Sequence, residues 1–279
     1  MVTRLPRPEV DDDDYLDRVV AERRAGKNAE YFLDIREDWK QRVRDYLSRS
    51  GNPEGFATWA DVVDHKGKFH NLYTACKNDS AHGVELMQLR ERKPQFCPAC
   101  GEAGQPNTLD HYLPKESYPE FSITPVNLSP MCDTCQVFKG TLTVDGRGRR
   151  YFIHPYFDDF ARDRLIKVEF QLPFTAPSMR IRVRPELAPD AAELTTRHLE
   201  KLQIERRLSH FMRDEYRRLL RLVKSTRDSA SDVRVNLQMF ATLAAMRSVN
   251  TWDHVWYASV LEDEDLTEYL TAGRLPEFV

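Results

Sequence analysis

Apolar residues recur at three- and four-residue steps in two stretches near the start of the chain, about Asp14 to Arg24 and Asn28 to Ser50. That period puts them on one face of a helix, so both stretches predict amphipathic helices. In the second, Phe32, Ile35, Trp39, Val43, Tyr46 and Leu47 form the inward stripe, and Gly51-Asn52-Pro53 stops it. The Asp11 to Asp14 run places negative charge at a helix start, where the backbone dipole favours it. Residues 56–94 mix short helical segments with loops, and His65, His70 and His82 share no spacing that would put two on one helical face.

The pattern then changes period. Asn107 to Tyr112 reads as a short strand. Leu113 to Pro130 carries Pro114, Pro119, Pro125 and Pro130 and reads as an extended loop with a second short strand near its end. Cys132 to Lys139 begins a helix, with Gly140 past its end. Further on, Leu165 to Leu172 and Met179 to Val183 alternate apolar with polar residues and predict a β-hairpin. From Ala191 the chain is helical. One stripe there runs through Leu208, Phe211, Met212, Leu219, Leu222 and Val223, and another through Met239, Phe240, Leu243 and Met246. Trp252, Trp256 and Tyr257 cluster near the end, most simply as core.

Chemistry concentrates between the strand and helix signals. Cys97/Cys100 and Cys132/Cys135 are two Cys-x-x-Cys knuckles, which together can supply the four thiolates that a structural zinc prefers. Between them lie Asp110-His111 and then Asn127, a carboxylate, an imidazole and an amide suited to hydrolytic work. Arg90, Arg92 and Lys93 lead into the first knuckle and can line a phosphate path. Composition adds limits. The chain has 279 residues, 41% apolar and 30% charged, an ordinary soluble profile, and no apolar run long enough to cross a bilayer. With an N-terminus unlike a signal peptide, a cytoplasmic location is expected. Cysteines in such pairs suit metal binding in a reducing compartment better than disulfides, and Cys76 reads as a small buried hydrophobe. A redox role is the weaker reading, since the pairs are duplicated and neither sits in a thioredoxin-like pattern. The net charge of −3 argues against whole-surface attraction to nucleic acid. Locally, Ala191 to Arg227 holds ten Lys or Arg against five acids. That face suits phosphates or simply solvent.

The order Cys-x-x-Cys, Asp110-His111, Asn127-Leu128, Cys-x-x-Cys, Lys139-Gly140 resembles the HNH endonucleases, in the subgroup whose ββα-metal finger is buttressed by a four-cysteine zinc. The resemblance covers about residues 97–140, with echoes to Asp158 in His154-Pro155-Tyr156-Phe157-Asp158. It implies an α+β protein, mostly helical, with a central ββα-metal finger. Residues 1–95 would be an N-terminal helical region, 96–163 the finger, and 164–279 a hairpin and helical region. It implies DNA hydrolysis with Mg²⁺ or Mn²⁺, His111 as general base, Asp110 as metal ligand and Asn127 as the residue that fixes the loop. Gln136 stands where the family carries His or Asn as second ligand, and His154 is a further candidate ligand or support. Lys139, Arg147, Arg149 and Arg150 are the expected phosphate contacts. The spacing from Asp110 to Phe121 is similar to HNH proteins of bacterial defence and retron-associated systems such as the Septu type. Those imply an ATPase partner and leave a homo-oligomer open. The competing expectation is a catalytically degenerate zinc module that binds nucleic acid or a protein.

Overall fold

The acidic run near the start becomes the opening of a helix. Asp11 caps α1 (Asp12–Glu22), its carboxylate accepting from the Asp14 amide at 3.0 Å, one of the donors a helix start leaves unmatched. The computed structural model describes residues 2–23 and 26–277, so Arg24, the expected last residue of this helix, lies outside the described residues. The aromatic stripe is realised as two helices, α2 (Ala29–Asp34) and α3 (Arg36–Ser48), which meet at Ile35. Phe32, Trp39, Val43 and Tyr46 are buried. Gly51 ends the run at φ +70°, and a Cβ there would lie 2.6 Å from the His154 ring, so both the turn and the close approach require glycine. Three shorter helices follow, α4 (Ala60–Val63), α5 (Lys66–Thr74) and α6 (Ala81–Glu91), the last capped by the Ser80 hydroxyl.

His82, on the first turn of α6, is buried without charge compensation. Its Nε2 faces Arg23 at 3.1 Å, which makes it the acceptor and leaves Nδ1 without a partner among the described residues. Burial, with Arg23 adding to it, pushes its pKa from the usual 6.5 down to about 4. The unfolded chain takes up a proton near pH 6.5 that the folded one refuses until about pH 4. Stability held above pH 6.5 is therefore lost as the pH falls across that window. We expect His82→Gln to flatten the pH dependence of the urea midpoint between pH 6.5 and 4. Equal slopes in the two proteins would contradict this.

Strands β1 (Thr108–His111) and β2 (Leu128–Met131) pair antiparallel, with Asp110 opposite Ser129 and His111 opposite Leu128. The short helix α7 (Asp133–Lys139) follows, and Gly140 ends it at φ +49°. The connection between the strands is unusual in one respect: residues 118–127 are all buried, though their regular structure amounts to two single 3-10 turns, Pro119–Phe121 and Pro125–Asn127. A buried loop must find partners for its backbone. Here side chains from distant helices supply them. Tyr15 donates to the Ile123 carbonyl at 2.8 Å and the Trp39 indole to that of Glu120 at 2.7 Å. The Tyr156 hydroxyl reaches the Leu128 carbonyl at 2.8 Å. Arg42 holds the buried Glu120 carboxylate at 2.8 Å.

The remaining elements are β3 (Ile166–Gln171), β4 (Ser178–Val183), α8 (Pro189–Lys201), α9 (Ile204–Asp228), α10 (Val233–Ala245), α11 (Trp252–Glu262) and α12 (Glu264–Ala272). β3 and β4 form the hairpin that alternation predicts, Val168 opposite Ile181. On α9 the predicted apolar stripe is largely buried, with Leu208, Met212, Leu219 and Val223 inward. Its cations take several routes. Lys224 pairs with Asp228 at 2.9 Å, whereas Arg227 turns back to cap the end of α12 through the carbonyls of Tyr269, Leu270 and Gly273. The stripe predicted on α10 faces the other way: Val233, Leu237, Ala241 and Ala244 are buried, and Met239, Leu243 and Met246 are exposed. Both faces of that helix are apolar, so periodicity alone could not choose between them.

The molecule is thus mixed α and β, mostly helical, with two small antiparallel strand pairs. The described residues group into two compact units. One holds residues 4–97 and 105–158, with α1 to α7 and the β1–β2 pair; the other holds 2–3, 98–104 and 159–277, with the β3–β4 hairpin and α8 to α12. Among the described residues no helix is long and apolar enough to cross a membrane.

Candidate functional site

The sulfur atoms of Cys97, Cys100, Cys132 and Cys135 all lie within 4.8 Å of one another. Four thiolates about 2.3 Å from one tetrahedral zinc stand roughly 3.8 Å apart, so this cluster fits that ion. The backbone around it is arranged for thiolates. The Cys132 amide donates to Cys97 Sγ at 3.3 Å, and the Arg207 guanidinium reaches Cys100 Sγ at 3.4 Å while pairing with Glu102. Such outer contacts offset the negative charge of four sulfurs. The turn at 98–104 is itself held from far along the chain. The Trp252 indole donates to the Cys100 carbonyl at 2.6 Å and His198 Nε2 to that of Ala99 at 2.8 Å. The aromatic cluster near the end of the chain therefore contributes more than bulk, a role that no local pattern signals.

Asp110 and His111 are both buried at the end of β1. Successive strand residues face opposite ways, and their partners differ accordingly. His111 Nε2 lies 2.9 Å from the Ser122 carbonyl, which can only accept, so that nitrogen carries the proton and Nδ1 keeps its lone pair. The Tyr73 ring packs edge-on against the imidazole, centroids 4.6 Å apart. Burial pushes the His111 pKa down to about 3, against the upward pull of the Ser122 bond, so the ring is neutral at neutral pH. Burial also raises the Asp110 carboxyl, while the nearby Lys139 ammonium pulls it down.

Asn127 ties two stretches of backbone together through its amide. Its Oδ1 accepts from the Leu113 amide at 2.7 Å, and its Nδ2 donates to the carbonyls of Leu113 at 3.0 Å and Phe121 at 3.2 Å. All four of its polar directions are in use once the Tyr46 hydroxyl, 3.3 Å from Oδ1, is counted.

Several expectations change. Lys139 is not a surface phosphate contact: its side chain points inward, 1% exposed, and its ammonium binds the His111 carbonyl at 2.6 Å and Asp110 Oδ2 at 3.1 Å. Cys135 and Lys139 lie four residues apart and share the buried face of α7, which draws the lysine inside. Lys139, rather than Gln136, is thus the residue seated on the Asp110 carboxylate. His154 does not offer a nitrogen to a metal. Its Nδ1 accepts from the Tyr156 amide at 3.1 Å, so Nε2 carries the proton and meets the Tyr46 hydroxyl at 3.0 Å. Burial holds it well below its usual pKa, hence neutral. Through Tyr46 it supports Asn127. Arg150 is committed to Asp158 at 2.7 Å and Arg149 to Asp145 at 2.9 Å, whereas Arg147 is exposed.

Gln136 is half-buried and lines a cleft of about 510 Å³ beside β1. Tyr73, Asn107, Arg90, Arg92 and Lys93 line it too. The cleft adjoins β1 without enclosing Asp110 and His111, and Tyr73, which also packs against the His111 ring, is the shared wall.

No family model matches the chain, and no solved structure matches it. Among curated proteins the chain is similar to Protein ea31 of Escherichia phage lambda, 38% identical over 76 residues. Those residues are 26% of this chain, and they span about a quarter, 26%, of that protein's length.

Proposed function

We propose that residues 97–140 form an HNH-type ββα-metal finger and that the protein is a metal-dependent endonuclease acting on DNA. The observation that carries this reading is the tautomer of His111, whose Nε2 proton is given to the Ser122 carbonyl so that Nδ1 is left as a base. The resemblance in residues 97–140 supplies the reaction type. By the same resemblance, a second cation would be held by the Asp110 carboxylate and the Gln136 amide oxygen. They are hard oxygens of the kind Mg²⁺ or Mn²⁺ takes while keeping several waters. That cation, when bound, would neutralise charge on the phosphoryl oxygens and favour departure of the 3′ oxygen.

The protein's own residues do the rest. His111 Nδ1 removes a proton from water as its oxygen attacks phosphorus; the P–O3′ bond breaks and the departing 3′ oxygen takes a proton from solvent, leaving a 5′-phosphate and a 3′-hydroxyl. Asn127 keeps the Leu113 and Phe121 backbone in place, and with it the Ser122 carbonyl that orients the base. Lys139 balances the Asp110 charge inside the protein. A partner ATPase and a role in defence belong to the same proposal and rest on the resemblance alone.

Supercoiled plasmid incubated with the protein and Mg²⁺ or Mn²⁺ tests the reading, with nicked or linear products bearing 5′-phosphates expected. Gln136→Ala should raise the metal concentration for half-maximal rate by about tenfold, a loss of roughly 1.4 kcal/mol in binding. Gln136→Asn should keep most of the activity. One observation favours the second reading, a non-catalytic zinc module: the Lys139 ammonium already neutralises Asp110. Absence of cleavage with every divalent metal, with DNA binding retained, would select it.

A further inference from the structure

The expected phosphate contacts on the 147–150 turn and on Lys139 are mostly engaged elsewhere, which leaves the question of where a nucleic-acid backbone would lie. We infer that it is held in the cleft at the C-terminal end of α6, by Arg90, Arg92 and Lys93. The inference rests on the nuclease reading for the identity of the ligand, a phosphodiester strand.

Three features of the cleft support it. First, it is one-signed: three cations line it, and among the described residues no carboxylate does. None of the three is paired with a carboxylate among the described residues, in a chain whose net charge is −3 and whose other cations are frequently ion-paired. Second, the cations are placed rather than merely present. Arg92 donates to the Pro6 carbonyl at 3.0 Å, which fixes its guanidinium. The Arg90 guanidinium lies over the Tyr73 ring at 5.6 Å. Favourable placement at a helix C-terminus accounts for Arg90 but not for Arg92 and Lys93, which lie beyond the end of the helix. Third, the cleft leads to the base. Tyr73 joins Arg90 to the His111 ring, and Gln136 forms a wall of the cleft. A strand whose phosphates lie along the three cations would thus run past the amides of Asn107 and Gln136 toward His111.

The test separates binding from cleavage. In a His111→Ala background with Mg²⁺ present, a fluorescein-labelled DNA duplex is titrated and anisotropy read across a range of salt. Arg90 and Lys93 are exposed, so Arg90→Ala/Lys93→Ala should leave the circular dichroism and thermal midpoint unchanged. It should weaken binding about tenfold or more and lower the slope of log K against log salt by about 2, one for each phosphate left without its cation. Arg147→Ala should change neither. The same strand unpaired distinguishes single-stranded from duplex substrate, and the predicted slope change with either probe supports the cleft. Unchanged affinity and slope in the double variant, or a loss confined to Arg147→Ala, would overturn it. So would failure of the parent protein to bind either probe at low salt. Should cleavage prove absent while this binding pattern holds, the nuclease reading falls and the cleft assignment stands.

Discussion

His111→Ala is expected to abolish metal-dependent plasmid cleavage, with a loss of about 10²–10⁴-fold, the usual contribution of a positioned general base. The variant also removes the donor to the buried Ser122 carbonyl and the ring that Tyr73 packs against, so some loss of stability accompanies it. An unpartnered buried carbonyl costs on the order of 1–3 kcal/mol. His111→Gln separates the two effects, because its amide N–H can still satisfy Ser122 while offering no base near neutral pH. We expect both variants to be inactive and the glutamine variant to recover much of the thermal midpoint. Cleavage retained by either folded variant would remove His111 from the mechanism. Restored activity in the alanine variant with added imidazole would place the missing function at the vacated Nδ1.

The second large effect concerns the four cysteines. Structural zinc in small domains contributes about 10–16 kcal/mol at neutral pH, as much as the whole stability of a typical domain. Cys135→Ser, or stripping the metal with a strong chelator, should therefore lower the thermal midpoint by on the order of 20 °C or more. A metal-sensitive dye should report one zinc released per chain. Cleavage should disappear with the zinc, and adding Mg²⁺ alone should not restore it, because the proposed second site would use oxygen donors and the cysteine cluster offers sulfur. A protein that purifies without zinc and melts at the same temperature after chelation would refute this.

Some of the architecture was legible because its cause is local. Cys-x-x-Cys spacing is a property of four consecutive residues, and the four sulfurs come together as that spacing implies. Alternation along each strand announced the β3–β4 hairpin, and the acidic run at the start of α1 and the Gly140 stop are local signals. What stayed hidden depends on distance or on backbone. Nothing in the sequence marks the Ser122 carbonyl as the acceptor for His111, since every residue has one. The Glu120–Arg42 pair, the Trp252 bond to Cys100 and the Tyr46 link from His154 to Asn127 join residues about 80 to 150 positions apart. The inward turn of Lys139 had a signal, its i, i+4 relation to Cys135, but lysine's preference for water argues the other way. On α10, two apolar faces competed and tertiary packing chose the one with the smaller side chains, Ala241 and Ala244.

The buried connection between β1 and β2 has a kinetic consequence. Its backbone partners lie 81 positions away in Trp39 and 108 away in Tyr15, while its own residues make little regular structure. Loop-closure entropy is lost before such long-range bonds can compensate for it, so segments held this way order late. The knuckles can gather their metal early from short spacings. The carbonyl that orients His111 should then be placed only once α1 and α3 have docked. Mutations at Tyr15 and Trp39 should therefore speed unfolding far more than they slow folding, and recovery of cleavage during refolding should lag behind zinc uptake.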